Sequence, residues 1–255
     1  MSTPRARYAI DFHVHTWYSF DSVTPPRVAI EAARRRGLDG IAITDHDTVE
    51  GALAALKANP YSDFLIIPGI EVKSDLGDII GLYITKNIAS RRFGDVIEEI
   101  HAQGGIAYLP HPIRTFGAVQ VPDIYKSYPA IDLWELYNGR YDRADFAQAR
   151  NVFEDLAIGG PLCGSDAHFP WEIGLFRNIL TDLPSESASL MMLSASAELQ
   201  ACPRGDVALR TGISLASMIK AFKRKQYAKL AELAVSLPWK GLKRIVTVGL
   251  ERLRN

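Results

Sequence analysis

The 255-residue sequence predicts an α/β chain whose strands close into a barrel, and three observations carry that reading. Short apolar runs recur along the first 180 residues, amphipathic stretches lie between them, and most of the histidines stand just beyond a run. Strands that alternate with helices form a parallel sheet with crossover connections. Seven such units in one chain favour closure into a barrel over an open sheet.

The runs are Tyr8–Phe12, Gly40–Thr44, Phe64–Ile67, Asp78–Ile84, Gly105–Leu109, Ile131–Leu136 and Gly160–Cys163. Three of the stretches between them read as helices. Val28–Arg36 is closed by Gly37 and Phe93–Gln103 by Gly104, each a glycine placed where a helix turns out of its last carbonyls. Asp142–Leu156 is the third. The connector between the third and fourth runs is too short for a helix, so those strands either pair as a hairpin or mark an irregularity in the barrel.

Composition narrows the class. With 47% apolar and 23% charged residues, the chain is neither disordered nor collagen-like nor a coiled coil. It has no apolar run of the roughly 18 residues that a membrane span needs. Met1–Arg7 is polar and lacks the apolar core of a signal peptide. Cys163 and Cys202 are the only cysteines, too few for a disulfide framework, which suggests a reducing, cytoplasmic setting. The net charge of zero conceals an asymmetry: residues 201–255 carry 12 Lys and Arg against Asp206, Glu232 and Glu251. The body is correspondingly acidic, as a site for cations would make it.

In a barrel of this kind chemistry collects at the carboxyl ends of the strands. Five of the six histidines obey that rule. His13 and His15 follow the first run, with Ser19 and Asp21 after them; Asp45-His46-Asp47 follows the second. Glu71 closes the third and Asp78 begins the fourth; His111 follows the fifth, and Asp166 and His168 follow the seventh. His101 alone falls in mid-helix. His13-x-His15 and Asp166-x-His168 each alternate on a strand, so both members of a pair face one side. Imidazole with carboxylate is a ligand set for Zn, Mn or Fe rather than Ca or Mg. His13, His15, Asp21, His46, Glu71, Asp78, His111, Asp166 and His168 make nine candidate ligands, too many for one ion, and imply two or three. Such a site suits metal-assisted hydrolysis by a metal-bound hydroxide. Neither a Ser–His–Asp set nor a Walker-type loop is evident.

The segments Asp11-Phe-His-Val-His-Thr16, Ile43-Thr-Asp-His-Asp47, Gly69-Ile-Glu71, Pro110-His-Pro112 and Gly164-Ser-Asp-Ala-His168 resemble the motifs of the PHP (polymerase and histidinol phosphatase) domain family, in the family's order. Glu135-Leu-Tyr-Asn-Gly139 is similar to the segment before the family's last motif. The resemblance implies a distorted (β/α)7 TIM-like barrel, a trinuclear site and phosphoester hydrolysis. It implies one ion on His13, His15, Glu71 and Asp166, a second on Glu71, His111 and Asp78, and a third on Asp21, His46 and His168. Many members have His where this chain has Asp78, and some where it has Asp21; carboxylates there are harder ligands and favour Mn or Fe over Zn. Asp75 is the nearest spare carboxylate should Asp78 not reach.

Asp11 and Asp45 are candidates to orient imidazoles through the second ring nitrogen, or else to cap loops. Arg114 is the first choice to grip a phosphate oxygen; Asn138, Arg140 and Arg177 are further substrate-binding candidates, with surface ion pairing as the alternative for the two arginines. Arg114, His111 and His168 are the residues expected to carry turnover. Trp17, Tyr18 and Phe20 either face the mouth, where an aromatic can stack on a base, or form a packed lid.

The domain plan is a barrel over 1–183, a Ser/Ala-rich link over 184–213 and a basic helical extension over 214–255. That extension either packs on the barrel or, through Lys220, Lys223, Arg224 and Lys225, offers a strip to nucleic acid. A membrane-surface helix over 239–255 is a weaker signal. The activity expected is hydrolysis of a nucleotide, another small phosphomonoester or an oligonucleotide end. Histidinol-phosphate phosphatase and a non-catalytic metal-binding regulatory module are the alternatives. Nothing in the sequence specifies an oligomeric state.

Overall fold

A computed structural model describes residues 7–158 and 160–201. Nine strands form one sheet in the order β7-β6-β5-β4-β3-β2-β1-β8-β9. β1 (Tyr8–Val14), β2 (Gly40–Ile43) and β3 (Leu65–Lys73) run parallel, as do β5 (Ile106–Leu109), β6 (Leu133–Asn138) and β7 (Leu162–Gly164). β4 (Asp78–Leu82) is antiparallel to both neighbours, so the short connector does make a hairpin. Its reversal brings Asp78, the first residue of β4, opposite Lys73 at the carboxyl end of β3.

The sheet nearly closes on itself. Beyond β7, Ala167 bridges to Val14 in parallel; the His15 N–H donates to the Ala167 carbonyl at 2.9 Å. Lower down, β8 (Phe176–Leu180) lies antiparallel to the start of β1, and β9 (Glu198–Ala201) extends it. The buried Asn178 amide spans this seam. It donates to the carbonyls of Ile10 and Cys163 and accepts from the Cys163 N–H, supplying bonds that a direct β1–β7 ladder would have made.

Ile10, Phe12, Ile67, Ile80, Tyr108 and Leu133 fill the barrel interior. A second apolar layer, including Val14, Ile30 and Ile41, packs α1 (Pro26–Arg35) and α2 (Glu50–Ala58) on the outside. Around the other half, Ile97, Ile100, Trp134 and Phe153 do the same for α3 (Phe93–Ala102), α4 (Pro112–Ser127) and α5 (Arg143–Asp155). α1 and α3 are followed by Gly37 and Gly104, both at φ near +74°, and Asp142 caps α5 through the N–H groups of Ala144 and Asp145.

Two elements have no counterpart in the sequence reading of residues 184–201, where a link was expected: α6 (Ser187–Ser194) and β9. The remainder of the expected link and the whole basic extension lie outside the described residues. Among the described residues no helix is long and apolar enough to cross a membrane.

Candidate metal centre

The register of β1 slips between Asp11 and Val14. Ile10 and Phe12 face the interior, while Val14 lies in the outer layer. The bulge thereby keeps His13 and His15 turned inward as the strand ends, re-aiming side chains at the rim of the barrel. Both rings are fully buried, and their Nε2 atoms lie 3.1 Å apart. His111 and Asp166, just past β5 and β7, adopt positive φ (34° and 49°), a conformation unfavourable for residues with a Cβ that is held where structure over-determines it.

Glu71 sits at the centre. Its Oε2 lies 3.4 Å from His13 Nε2, 3.3 Å from His15 Nε2 and 3.2 Å from His46 Nδ1; its Oε1 lies 3.1 Å from His111 Nε2. Asp166 Oδ1 lies 3.4 Å from His15 Nε2. Asp21 Oδ2 is 3.3 Å from both His46 Nε2 and His168 Nε2. Three groups of donor atoms result: His15, Asp21, His46 and His168; His13, His15 and Glu71; and Glu71, Asp78 and His111. All nine expected ligands therefore gather at one end of the barrel. Asp75 does not join them: its carboxylate accepts the Phe93 N–H at the start of α3.

The donor set fits cations. The His13 and His15 Nε2 atoms, 3.1 Å apart, are close enough to be ligands of one ion. Asp21 Oδ1 and Glu71 Oε2, both buried, have no hydrogen-bond partner, although such groups are normally satisfied. Charge tells the same story. Burial opposes ionisation, yet His46 and His13 hold the Glu71 carboxyl well below the usual range, and His13 and His15 do so for Asp166. Conversely, burial works against the His15 imidazolium, but the Asp166 and Glu71 carboxylates beside it raise its pKa to about 10. His13, His46 and His111 are raised for related reasons.

Without ions, protons supply the charge these carboxylates demand. The raised His15 pKa contributes stability fully present below about pH 6.5, lost as pH climbs to about 10. An ion requires neutral imidazole, so zinc loading at pH 7 is expected to release protons, and affinity to weaken as pH falls. Calorimetry in two buffers of unlike ionisation enthalpy measures that release; equal heats in both would contradict it.

The candidates for orienting residues divide differently from expectation. Asp11 accepts the N–H groups of Ser165, Gly174 and His13, and Asp45 accepts the Thr16 N–H and hydroxyl. Both clamp loops rather than imidazoles. The second nitrogens instead meet Glu135 (His13, 3.2 Å), Ser19 (His15, 3.1 Å) and Thr115 (His111, 3.0 Å). His168 Nδ1 meets the Asp166 carbonyl at 2.9 Å.

Three substrate candidates are also engaged elsewhere. Arg140 is buried, paired with Glu172 at 2.9 Å and bonded to the Asp166 carbonyl. Asn138 is buried and donates to Glu135. Arg177 donates to the carbonyls of Arg36 and Gly174. Arg114 is exposed and lies on the first turn of α4, three residues past His111, with a bond to the Arg140 carbonyl. Phe20 stacks on His46 at 4.7 Å, while Trp17 and Tyr18 are about half exposed. Glu172, buried against Arg140 and the His168 N–H, had no signal in the sequence beyond its proximity to the last motif.

Several known proteins share this architecture. A two-domain protein of Bacteroides vulgatus containing a predicted PHP-like metal-dependent phosphoesterase superposes with a TM-score of 0.62 at 18% identity, covering 83% of this chain and 70% of that one. A lesion-specific endonuclease of Pyrococcus furiosus gives 0.53 at 16% identity, over 76% of this chain and 57% of its own. An uncharacterised protein of Methanocaldococcus jannaschii is 34% identical over 113 residues, or 40% of this chain, and a second is 27% identical over 65%. Each of these two matches about two thirds of the relative's length (66% and 67%). The PHP domain model matches residues 11–150, from the first strand-end motif through His111 and Glu135, and on that match, with the fold that surrounds it, the chain belongs to the PHP domain family.

Proposed function

We propose that the chain hydrolyses a phosphoester with the help of two or three divalent ions of Mn, Fe or Zn. The observation that carries this reading is the surplus of ligands: eight buried or half-buried residues form three groups of donor atoms, two of which share Glu71, and Asp166 stands beside them, where a structural site would close with four. These groups overlap the ion set that the family resemblance implies: Glu71 is in two of them, while Asp166 falls outside all three and His15 joins Asp21, His46 and His168. Bound ions there would polarise a phosphoryl oxygen and lower the pKa of a bound water.

The chain's own residues supply the rest. Glu71 holds four imidazoles in one cluster, and Ser19, Thr115 and Glu135 fix three of those rings from behind. Arg114, at the rim, brings a planar charged donor pair suited to a phosphate oxygen. Arg114→Ala is expected to lower kcat/KM by about 10- to 100-fold, the loss of one charged hydrogen bond, while ion content stays unchanged. Equal turnover in the variant would remove Arg114 from the site.

The substrate is a nucleotide, another small phosphomonoester or an oligonucleotide end. The deciding assay pairs a 5′-labelled single-stranded RNA with AMP in Mn²⁺, using His111→Ala as control. RNA cleavage lost in the variant assigns a nuclease; phosphate from AMP alone assigns a monoesterase. Silence on both with ions bound moves the reading to sugar phosphates and histidinol phosphate. A purely structural role for the ions predicts unfolding on chelation, whereas a catalytic one predicts a folded, inactive chain.

A further inference from the structure

Glu135 lies at the base of the cluster, on β6, fully buried and unused by the ligand sets. Four donors converge on its carboxylate. His13 Nδ1 at 3.2 Å and the Tyr108 hydroxyl at 3.0 Å meet Oε1; the His111 backbone N–H and Asn138 Nδ2, both at 2.8 Å, meet Oε2. The contact with His13 depends on Gly164. A Cβ there would lie 2.2 Å from Glu135 Oε1 and 2.5 Å from His13 Cβ, so only glycine admits this approach.

We infer that Glu135 is a positioning residue that couples two ion sites, holding His13 of one through its ring and His111 of the other through its backbone. The inference rests on the metal-centre reading above. A carboxylate has acceptor capacity for four donors and no proton to give. Facing it, His13 keeps its proton on Nδ1 and turns the Nε2 lone pair to the cluster. On the other side it pins the N–H of His111, whose φ of 34° needs such support.

The same inventory says why glutamine cannot substitute. On the Oε2 side both donors are fixed: one is a backbone N–H, and the Asn138 amide is oriented by accepting the Arg140 N–H at 2.7 Å. An amide NH2 at position 135 must therefore occupy the Oε1 side. There the Tyr108 hydroxyl can rotate to accept, but His13 must accept too, which moves its proton to Nε2 and removes the lone pair offered to an ion.

The test measures zinc content at fixed free zinc by equilibrium dialysis, with histidine ¹⁵N spectra of the loaded protein, for the wild type, Glu135→Gln and Gly164→Ala. In Glu135→Gln the ion on His13 is expected to bind about 10- to 100-fold more weakly, and the His13 Nδ1–H signature to vanish. Gly164→Ala, which pushes the carboxylate away, is expected to weaken the same ion and covers the case in which Glu135→Gln does not fold. Tyr108→Phe removes one donor and leaves the ring contact, so its zinc content is expected to match the wild type. Unchanged zinc affinity and an unchanged His13 signature in the folded variants would overturn the inference alone. No zinc uptake by the wild type would overturn the metal-centre reading, and the inference with it.

Discussion

Glu71→Gln is expected to abolish loading of at least two of the three ion groups and to lower turnover by more than about 100-fold, beyond the effect usual for a residue one shell further out. The reason is its position. One buried carboxylate faces His13, His15, His46 and His111 within 3.4 Å and belongs to two donor groups at once. Glutamine keeps the volume but removes the charge, and its amide oxygen is a weaker ligand than a carboxylate. The metal-free variant is also expected to lose stability, because removing one partner from a buried charge cluster leaves the others uncompensated. Metal analysis and turnover check the first expectation, and thermal unfolding with chelator checks the second. Full ion content in a folded Glu71→Gln protein would exclude Glu71 as a shared ligand.

Arg140→Ala is expected to destabilise the protein by about 3–5 kcal/mol, the usual cost of stripping one partner from a buried ion pair. For a chain of this size that lowers Tm by an amount on the order of 10 °C. Arg140 closes a charge network: its guanidinium meets Glu172 at 2.9 Å and the Asp166 carbonyl, and Glu172 in turn accepts the His168 and Phe169 N–H groups. The damage therefore falls on the loop that presents Asp166 and His168. Arg140→Ala/Glu172→Gln removes the orphaned charge and is expected to recover part of the loss. A double variant as unstable as the sum of the two single ones would mean the pair does not interact.

The clustering of the candidate ligands was legible in the sequence because of chain geometry. A strand end is a place, and His, Asp or Glu just beyond five different apolar runs must converge if those strands lie side by side around a barrel. Asp78 fits the same logic once β4 is antiparallel, since the start of a reversed strand meets the ends of its neighbours. Elements that lack this signal were not legible. α4 is broken at Gly117, which has φ 73° and ψ 154°, and carries Pro122, so no helical period runs through it. β8 offers one short alternating segment, Phe176–Leu180, whose buried Asn178 reads as a polar interruption. Its role is to bridge the seam between β1 and β7, which a local pattern cannot disclose.

Sequence alone determined the family and the set of candidate ligand residues, since residue type and spacing along each strand end are local properties. Only the tertiary structure decided what stands behind them. Whether Asp11 reaches a ring or a backbone N–H, whether Arg140 meets a phosphate or Glu172, and which acceptor orients His13 all depend on distances of a few ångströms between residues 32 to 154 positions apart in the sequence. Hydrogen bonds weaken steeply with such distances, so these roles belong to the packed barrel rather than to any stretch of the chain.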